Sequence, residues 1–227
     1  MWNKIKWALL LCFLLILSSY AVSAVPTGAS ATPGPTSTRP ADAATSHGAY
    51  GGNITELTIN RDTQTQVWQG YYGQASGTIV LEDALSDRIY DWSTGVLQGE
   101  VYASQSNSVT WASIAAENDC TTDESLTGTG SDRVNNTFTP SSNSAFQVGS
   151  ITISANTACA LNTFVNSVAQ STYFEEVLLT DGSDSVYTAI LEDNQAGYDN
   201  NPYDFQLLVP DDNDGTTTTY YFYIELG

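Results

Sequence analysis

Past Lys6 the chain has no lysine, past Arg133 it has no cationic side chain at all, and its single histidine is His47. These absences close several functional classes. Ser-His and Cys-His nucleophile systems, Schiff-base chemistry and His-ligated zinc all need side chains that the body of this protein does not carry. All 25 acidic residues lie beyond position 24, where only Arg39, Arg61, Arg88 and Arg133 oppose them, giving that part a net charge of −21. Such a surface repels phosphate, so nucleic acid and anionic lipid are excluded as partners. No GxSxG, P-loop or dinucleotide fingerprint occurs.

Long hydrophobic runs are also scarce, and the single one lies at the N-terminus. Lys4 and Lys6 precede an apolar stretch of about ten residues from Ala8 to Leu17, and Val22-Ser23-Ala24 has the small side chains of a signal-peptidase site. The pattern predicts a signal peptide over residues 1–24, cut after Ala24. A spanning anchor would need roughly 20 apolar residues. Cys12 lies inside the apolar run after three leucines, without the small residue that a lipidation motif places before its cysteine. The mature chain is therefore expected outside the cell, at the cell surface or secreted, with no membrane insertion.

Export changes the meaning of the remaining cysteines. Cys120 and Cys159 have no metal-ligand neighbours in the sequence, so an oxidising compartment makes a disulfide the simplest assignment, with two unrelated buried thiols as the other reading. Asn53-Ile54-Thr55 and Asn135-Asn136-Thr137 are N-glycosylation sequons, which makes Asn53 and Asn135 candidate glycan sites. Asp outnumbers Glu by 16 to 9. Short hydrated carboxylates together with missing lysines suit a halophilic source, and the solubility of a secreted protein is the other reading.

Residues 25–48 are rich in Pro, Thr, Ser, Ala and Gly and have nothing large to bury after Val25, which predicts a disordered linker or glycosylated stalk. Residues 49–227 read as one domain. Leu57/Ile59, Ile79/Leu81, Val96-Leu97, Val101-Tyr102, Val109/Trp111, Phe146/Val148, Ile151/Ile153, Val177–Leu179, Val186-Tyr187, Ile190-Leu191 and Phe205–Val209 are short strand-like runs separated by Gly, Asn and Asp. In the last run, Tyr220, Phe222, Ile224 and Leu226 alternate with Tyr221, Tyr223 and Glu225, a period of two. Thr163 to Val168 is the one stretch with room for a short helix. The pattern predicts an all-β fold, a single β-sandwich or jelly-roll-like domain.

Candidate sites are few. Glu175-Glu176, Glu192-Asp193 and Asp199/Asp204 are acid pairs of the type a glycosidase uses, although neighbouring acids are expected by chance in so acidic a chain. Asp211, Asn213 and Asp214, followed by Gly215, alternate oxygen ligands as a calcium loop does. The same residues also suit a solvated hairpin turn. Asp181-Gly182-Ser183-Asp184 poses the same choice. Trp68, Tyr71 and Trp92, among other aromatics, could stack against sugar rings as a carbohydrate face, or fill a core.

The segments Val67–Gly73 (VWQGYYG), Gly77–Leu81, Tyr90-Asp91-Trp92, Gly99–Ala103 (GEVYA), Asp204–Pro210 (DFQLLVP) and Tyr220–Leu226 resemble a recurrent module of secreted archaeal surface proteins. The resemblance implies an exported envelope protein and brings no ligand or catalytic residue. Three roles follow as expectations. The first is a non-enzymatic structural or assembly component of an archaeal envelope, partnered by itself or by other envelope proteins, with a sheet edge that accepts an extended tail. The second is an adhesion or glycan-binding domain stabilised by calcium. The third is a carboxylate glycosidase.

Overall fold

The structure, a computed structural model, describes residues 25–92 and 98–226. Residues 1–24, where a signal peptide is expected and which include Cys12, and the Val96-Leu97 run lie outside the described residues. The fold is all-β, as expected.

Its centre is three long antiparallel strands whose residues are buried on both faces. They are β5 (Gly99–Ser104), β10 (Glu175–Thr180) and β11 (Ser185–Ile190), in the order β5-β11-β10. Alternate side chains of a strand point to opposite faces. Accordingly Tyr102, Val177, Leu179 and Val186 enter one apolar cluster, while Ala103, Leu178, Tyr187 and Ala189 enter another. That double burial is why β10 reads as the unbroken run Val177-Leu178-Leu179 instead of alternating with polar residues.

Four further strands extend this sheet to seven. β15 (Tyr221–Leu226) lies beside β5, and β1 (Thr27–Gly28) lies beside β15. On the far side β6 (Ala115–Ala116) and β9 (Ala160–Asn162) both pair with β10.

Each face then has its own cover. On one, the hairpin β7 (Phe146–Val148) and β8 (Ile151–Ile153) brings Val148 and Ile153 against Tyr102 and Tyr223. On the other, β2 (Trp68–Gly73) pairs with β14 (Phe205–Pro210) and delivers Leu207 and Val209 to the core. Two single helical turns, Glu124–Thr127 and Val134–Thr137, complete that side. Cys120 and Cys159 form a disulfide there with a Cα separation of 5.7 Å. The expected sandwich is thus one broad sheet covered by a two-stranded ribbon and a hairpin.

Two hairpins stand apart: β3 (Ile79–Glu82) with β4 (Arg88–Trp92), and β12 (Gln195–Ala196) with β13 (Pro202–Tyr203). Among the described residues no helix is long and apolar enough to cross a membrane.

Several expectations change. The linker does not begin at residue 25, because Thr27 and Gly28 pair with Ile224 and Tyr223, and the Ala29 N–H donates to the Phe222 carbonyl at 3.0 Å. Leu57 and Ile59 form no strand and are exposed, because nothing offers them a ladder partner. The ordered body begins near Val67, not at residue 49. Residues 163–168 are a tight turn instead of a helix: Val165 and Val168 exchange both backbone hydrogen bonds, with Asn166 (φ 47°) and Ser167 (φ 61°) left-handed between them. Two successive positive φ values define the type I′ turn of a two-residue hairpin. The 211–219 loop is no hairpin either, since β14 and β15 belong to different sheets.

Candidate functional site

The aromatic residues expected on a sugar face are not brought together. Trp68 turns inward against Phe138 and donates its indole N–H to the Asp132 carbonyl. Tyr71 is on the opposite face of β2 and meets Phe222 edge-on at 5.2 Å. Trp92 pairs with Tyr90 on the β3–β4 hairpin. A different set does converge: Tyr72 lies 4.9 Å from Tyr198 and 4.8 Å from Tyr203, and the latter two rings are nearly parallel at 6.1 Å. Sequence spacing could not show this, because β14 is needed to bring residue 72 beside residues 198 and 203.

The calcium loop does not assemble. Asp214 Oδ1 accepts the Thr216 N–H and hydroxyl at 2.8 and 2.6 Å, and Asp211 Oδ1 accepts the Thr218 hydroxyl at 2.7 Å. Asn213 has φ 50°, as a turn residue does. These oxygens serve their own loop, and among the described residues no three His, Cys, Asp or Glu side chains are grouped to hold a metal ion. Asp181 behaves likewise: its carboxylate accepts the N–H groups of Thr110, Ser183 and Asp184, and these bonds hold its pKa below the usual aspartate value.

The acid pairs are occupied in the same way. Glu175 accepts the Ser144 N–H, Glu192 accepts the Phe174 N–H, and Asp204 accepts those of Ala75 and Asn194. Glu176 is fully buried and accepts the Leu208 N–H at 2.8 Å, which ties β10 to β14; burial pushes its pKa well up. Of the two sequons, Asn53 lies in exposed chain, whereas Asn135 is half-buried in a helical turn.

What the fold does assemble is a pair of glutamates, one in GEVYA and one in Tyr220–Leu226, that were not among the candidate site residues. Glu100 of β5 and Glu225 of β15 are direct cross-strand partners, 6% and 3% exposed. Like charges in that register repel. The Tyr102 hydroxyl sits between them, 3.1 Å from Glu225 Oε2 and 3.3 Å from Glu100 Oε2. Gly149, in the β7–β8 turn, donates its N–H to both Glu225 oxygens at 3.0 and 2.9 Å. Trp111 closes the neighbourhood, edge-on to Tyr102 and Tyr223 at 5.0 and 5.2 Å.

One hydroxyl proton can be donated to only one of the two carboxylates, so the other contact needs a proton on its carboxyl. Burial first, and then the neighbouring Glu225, push the Glu100 carboxyl up to about 8. Burial and both carboxylates also raise the Tyr102 phenol. A proton on Glu100 permits a directional chain, Glu100 to Tyr102 to Glu225. The sequence signal, visible only in hindsight, is Glu225 sharing the Tyr221/Tyr223 side of the most regular strand. The buried side of β15 is that side, not the Phe222/Ile224/Leu226 side.

No protein-family model, curated protein or solved structure matches the chain.

A pH dependence follows from the raised pKa of Glu100. Folded Glu100 keeps a proton that the unfolded chain releases, so its contribution is complete below pH 4.5 and is lost as pH rises toward about 8. Urea-unfolding midpoints should fall across that window in the wild type and fall less in Glu100→Gln. Identical slopes in the two proteins would contradict the assignment.

Proposed function

We propose that the protein is an exported, non-enzymatic surface component that assembles with copies of itself, in the archaeal envelope that the resemblance of its motifs implies. The observation that carries this reading is the β3–β4 hairpin. Its register places Ile79 opposite Trp92 and Leu81 opposite Tyr90, so four large apolar side chains share one face. All four are exposed, and Ile89 on the reverse face is 81% exposed. A two-stranded ribbon is marginal alone in water, and an apolar face of this kind calls for a partner. Both ribbon edges also offer unpaired backbone groups to a further strand.

Other features support the reading. The disulfide suits an oxidising exterior. Glu175, Glu176, Glu192, Asp199 and Asp204 accept backbone N–H groups, and the Glu100–Glu225 pair is buried away from any sugar. A second copy is the occupant proposed for the hairpin, because identical two-stranded ribbons can pair edge to edge and cover each other's apolar face.

The second reading, glycan recognition, is favoured by the Tyr72, Tyr198 and Tyr203 cluster, two of whose rings are parallel. Stacked and partly exposed rings suit the apolar faces of sugars.

The two readings make separate predictions. In sedimentation and electron microscopy, purified wild-type protein should self-associate at micromolar concentration, and Leu81→Lys should weaken association at least tenfold. A monomer at every concentration and salt level would contradict assembly. On a glycan array, any bound glycan should lose at least tenfold in affinity with Tyr198→Ala, and an array with no binding to wild type would reject the second reading.

A further inference from the structure

The strand that closes one edge of the seven-stranded sheet hangs on a long tether. β1 makes two ladder pairs, Thr27 with Ile224 and Gly28 with Tyr223. One further bond runs from the Ala29 N–H to the Phe222 carbonyl at 3.0 Å. Pro26 is buried, and Val25 lies beside the β7–β8 turn, where a Cβ placed on Gly149 would meet its Cγ2 and Cα at 3.6 and 3.7 Å. Residues 30–64 then follow, all exposed and none in a strand. The ion pairs of this stretch, Arg39 with Asp42 and Asp62, are internal to it. The chain is fastened again at Thr65, whose hydroxyl donates to Asp132 Oδ2 at 2.7 Å, just ahead of β2.

We propose that β1 is an exchangeable strand, which in the assembled protein leaves its own sheet and pairs with β15 of a neighbouring copy. This link rests on the self-assembly reading above and says how the copies are joined. The contacts at the edge are the same whichever copy supplies the strand: two ladder pairs, the Ala29 hydrogen bond, the buried proline and the valine beside Gly149. An unfilled β15 edge is a template for strand pairing, and each copy can give one strand and take one. Such an exchange closes as a reciprocal pair or runs on head to tail.

Because the contacts are equal, concentration decides between the two partners. The 35 residues of the tether are rich in Gly, Pro, Ser, Thr and Ala. A flexible chain of that length has a root-mean-square span of roughly 30–35 Å. A globular body of about 160 residues is roughly 40 Å across, so the released strand can reach the edge of a touching copy as well as its own. The tether presents the strand to its own edge at an effective concentration on the order of 1 mM. Free copies at micromolar concentration compete with that about a thousandfold less well. Copies packed roughly 40 Å apart offer one another their edges at on the order of 10 mM, which matches or exceeds the tether. Self-pairing therefore holds in dilute solution, and exchange takes over once the β3–β4 hairpins have gathered the copies.

Cysteine cross-linking tests the exchange, because directly opposed residues of an antiparallel pair stand about 4.5–5.5 Å apart at Cα, within disulfide reach. Thr27→Cys and Ile224→Cys proteins are mixed while dilute, concentrated until sedimentation shows association, and oxidised. Peptide mapping separates a 27–224 link from the native Cys120–Cys159 bridge. The expected result is a 27–224 disulfide between chains, at least tenfold more abundant than in the same mixture oxidised below the concentration at which it associates. Adding Leu81→Lys to both chains should lower that yield together with association. The double variant Thr27→Cys/Ile224→Cys should link within one chain when dilute and between chains when assembled. A double variant that associates yet links only within single chains overturns the exchange and leaves self-assembly standing. A protein that never associates overturns both. No 27–224 link of either kind would mean that β1 does not hold this register, and overturns the exchange as well.

Discussion

Strands β5, β11 and β10 bury both of their faces, and a sheet in that position needs a cover on each side. The rest of the chain answers that constraint. Val177 and Leu179 look toward the β7–β8 hairpin, while Leu178 and Tyr187 look toward β14 and the disulfide-linked turns. Neither cover is a full second sheet, so each is fastened at particular points. Glu176 ties β10 to the Leu208 amide, Cys120 and Cys159 tie two loops, and Glu225 ties β15 to the β7–β8 turn through Gly149. Two of these three fasteners are buried glutamates, an expensive choice in an apolar core unless the charge is neutralised.

The two glutamates meet that demand differently. Glu176 stands alone, and its carboxyl is pushed well up by burial, which favours the neutral form. Glu225 instead faces Glu100 across the β5–β15 ladder, with Tyr102 between them. The N-terminal segment arrives at that same edge. A short strand interrupted by proline would dock weakly through its ladder alone.

Much of the sheet was legible in the sequence because its strands carry their own signal. Val177–Leu179, Phe205–Val209 and the alternating Tyr220–Leu226 run became strands close to their expected limits. The disulfide followed from counting cysteines. What escaped was whatever depends on a distant partner. Thr27 alone favours a strand, Pro26 and Gly28 on either side do not, and the segment becomes one because β15 offers an edge. Leu57 and Ile59 alternate correctly but have no partner, and stay without structure. Trp68 and Tyr71 could not be assigned to core or surface until β14 fixed the register of β2. The Glu100–Glu225 pair joins residues 125 positions apart through one line of register, and although each lies in a quoted segment, GEVYA and Tyr220–Leu226, nothing in either segment shows that they meet.

The central claim is that residues 27–29 are part of the fold, although residues 30–64 that follow are exposed and form no strand. Amide hydrogen exchange at Ala29 tests it most directly, because its N–H donates to the Phe222 carbonyl at 3.0 Å. The account predicts that Ala29 exchanges at least a hundredfold more slowly than Gly34 or Gly48, a protection of roughly 3 kcal/mol on the scale of local opening. Equal exchange at the three positions would mean that the N-terminal strand is not held, and would contradict the account.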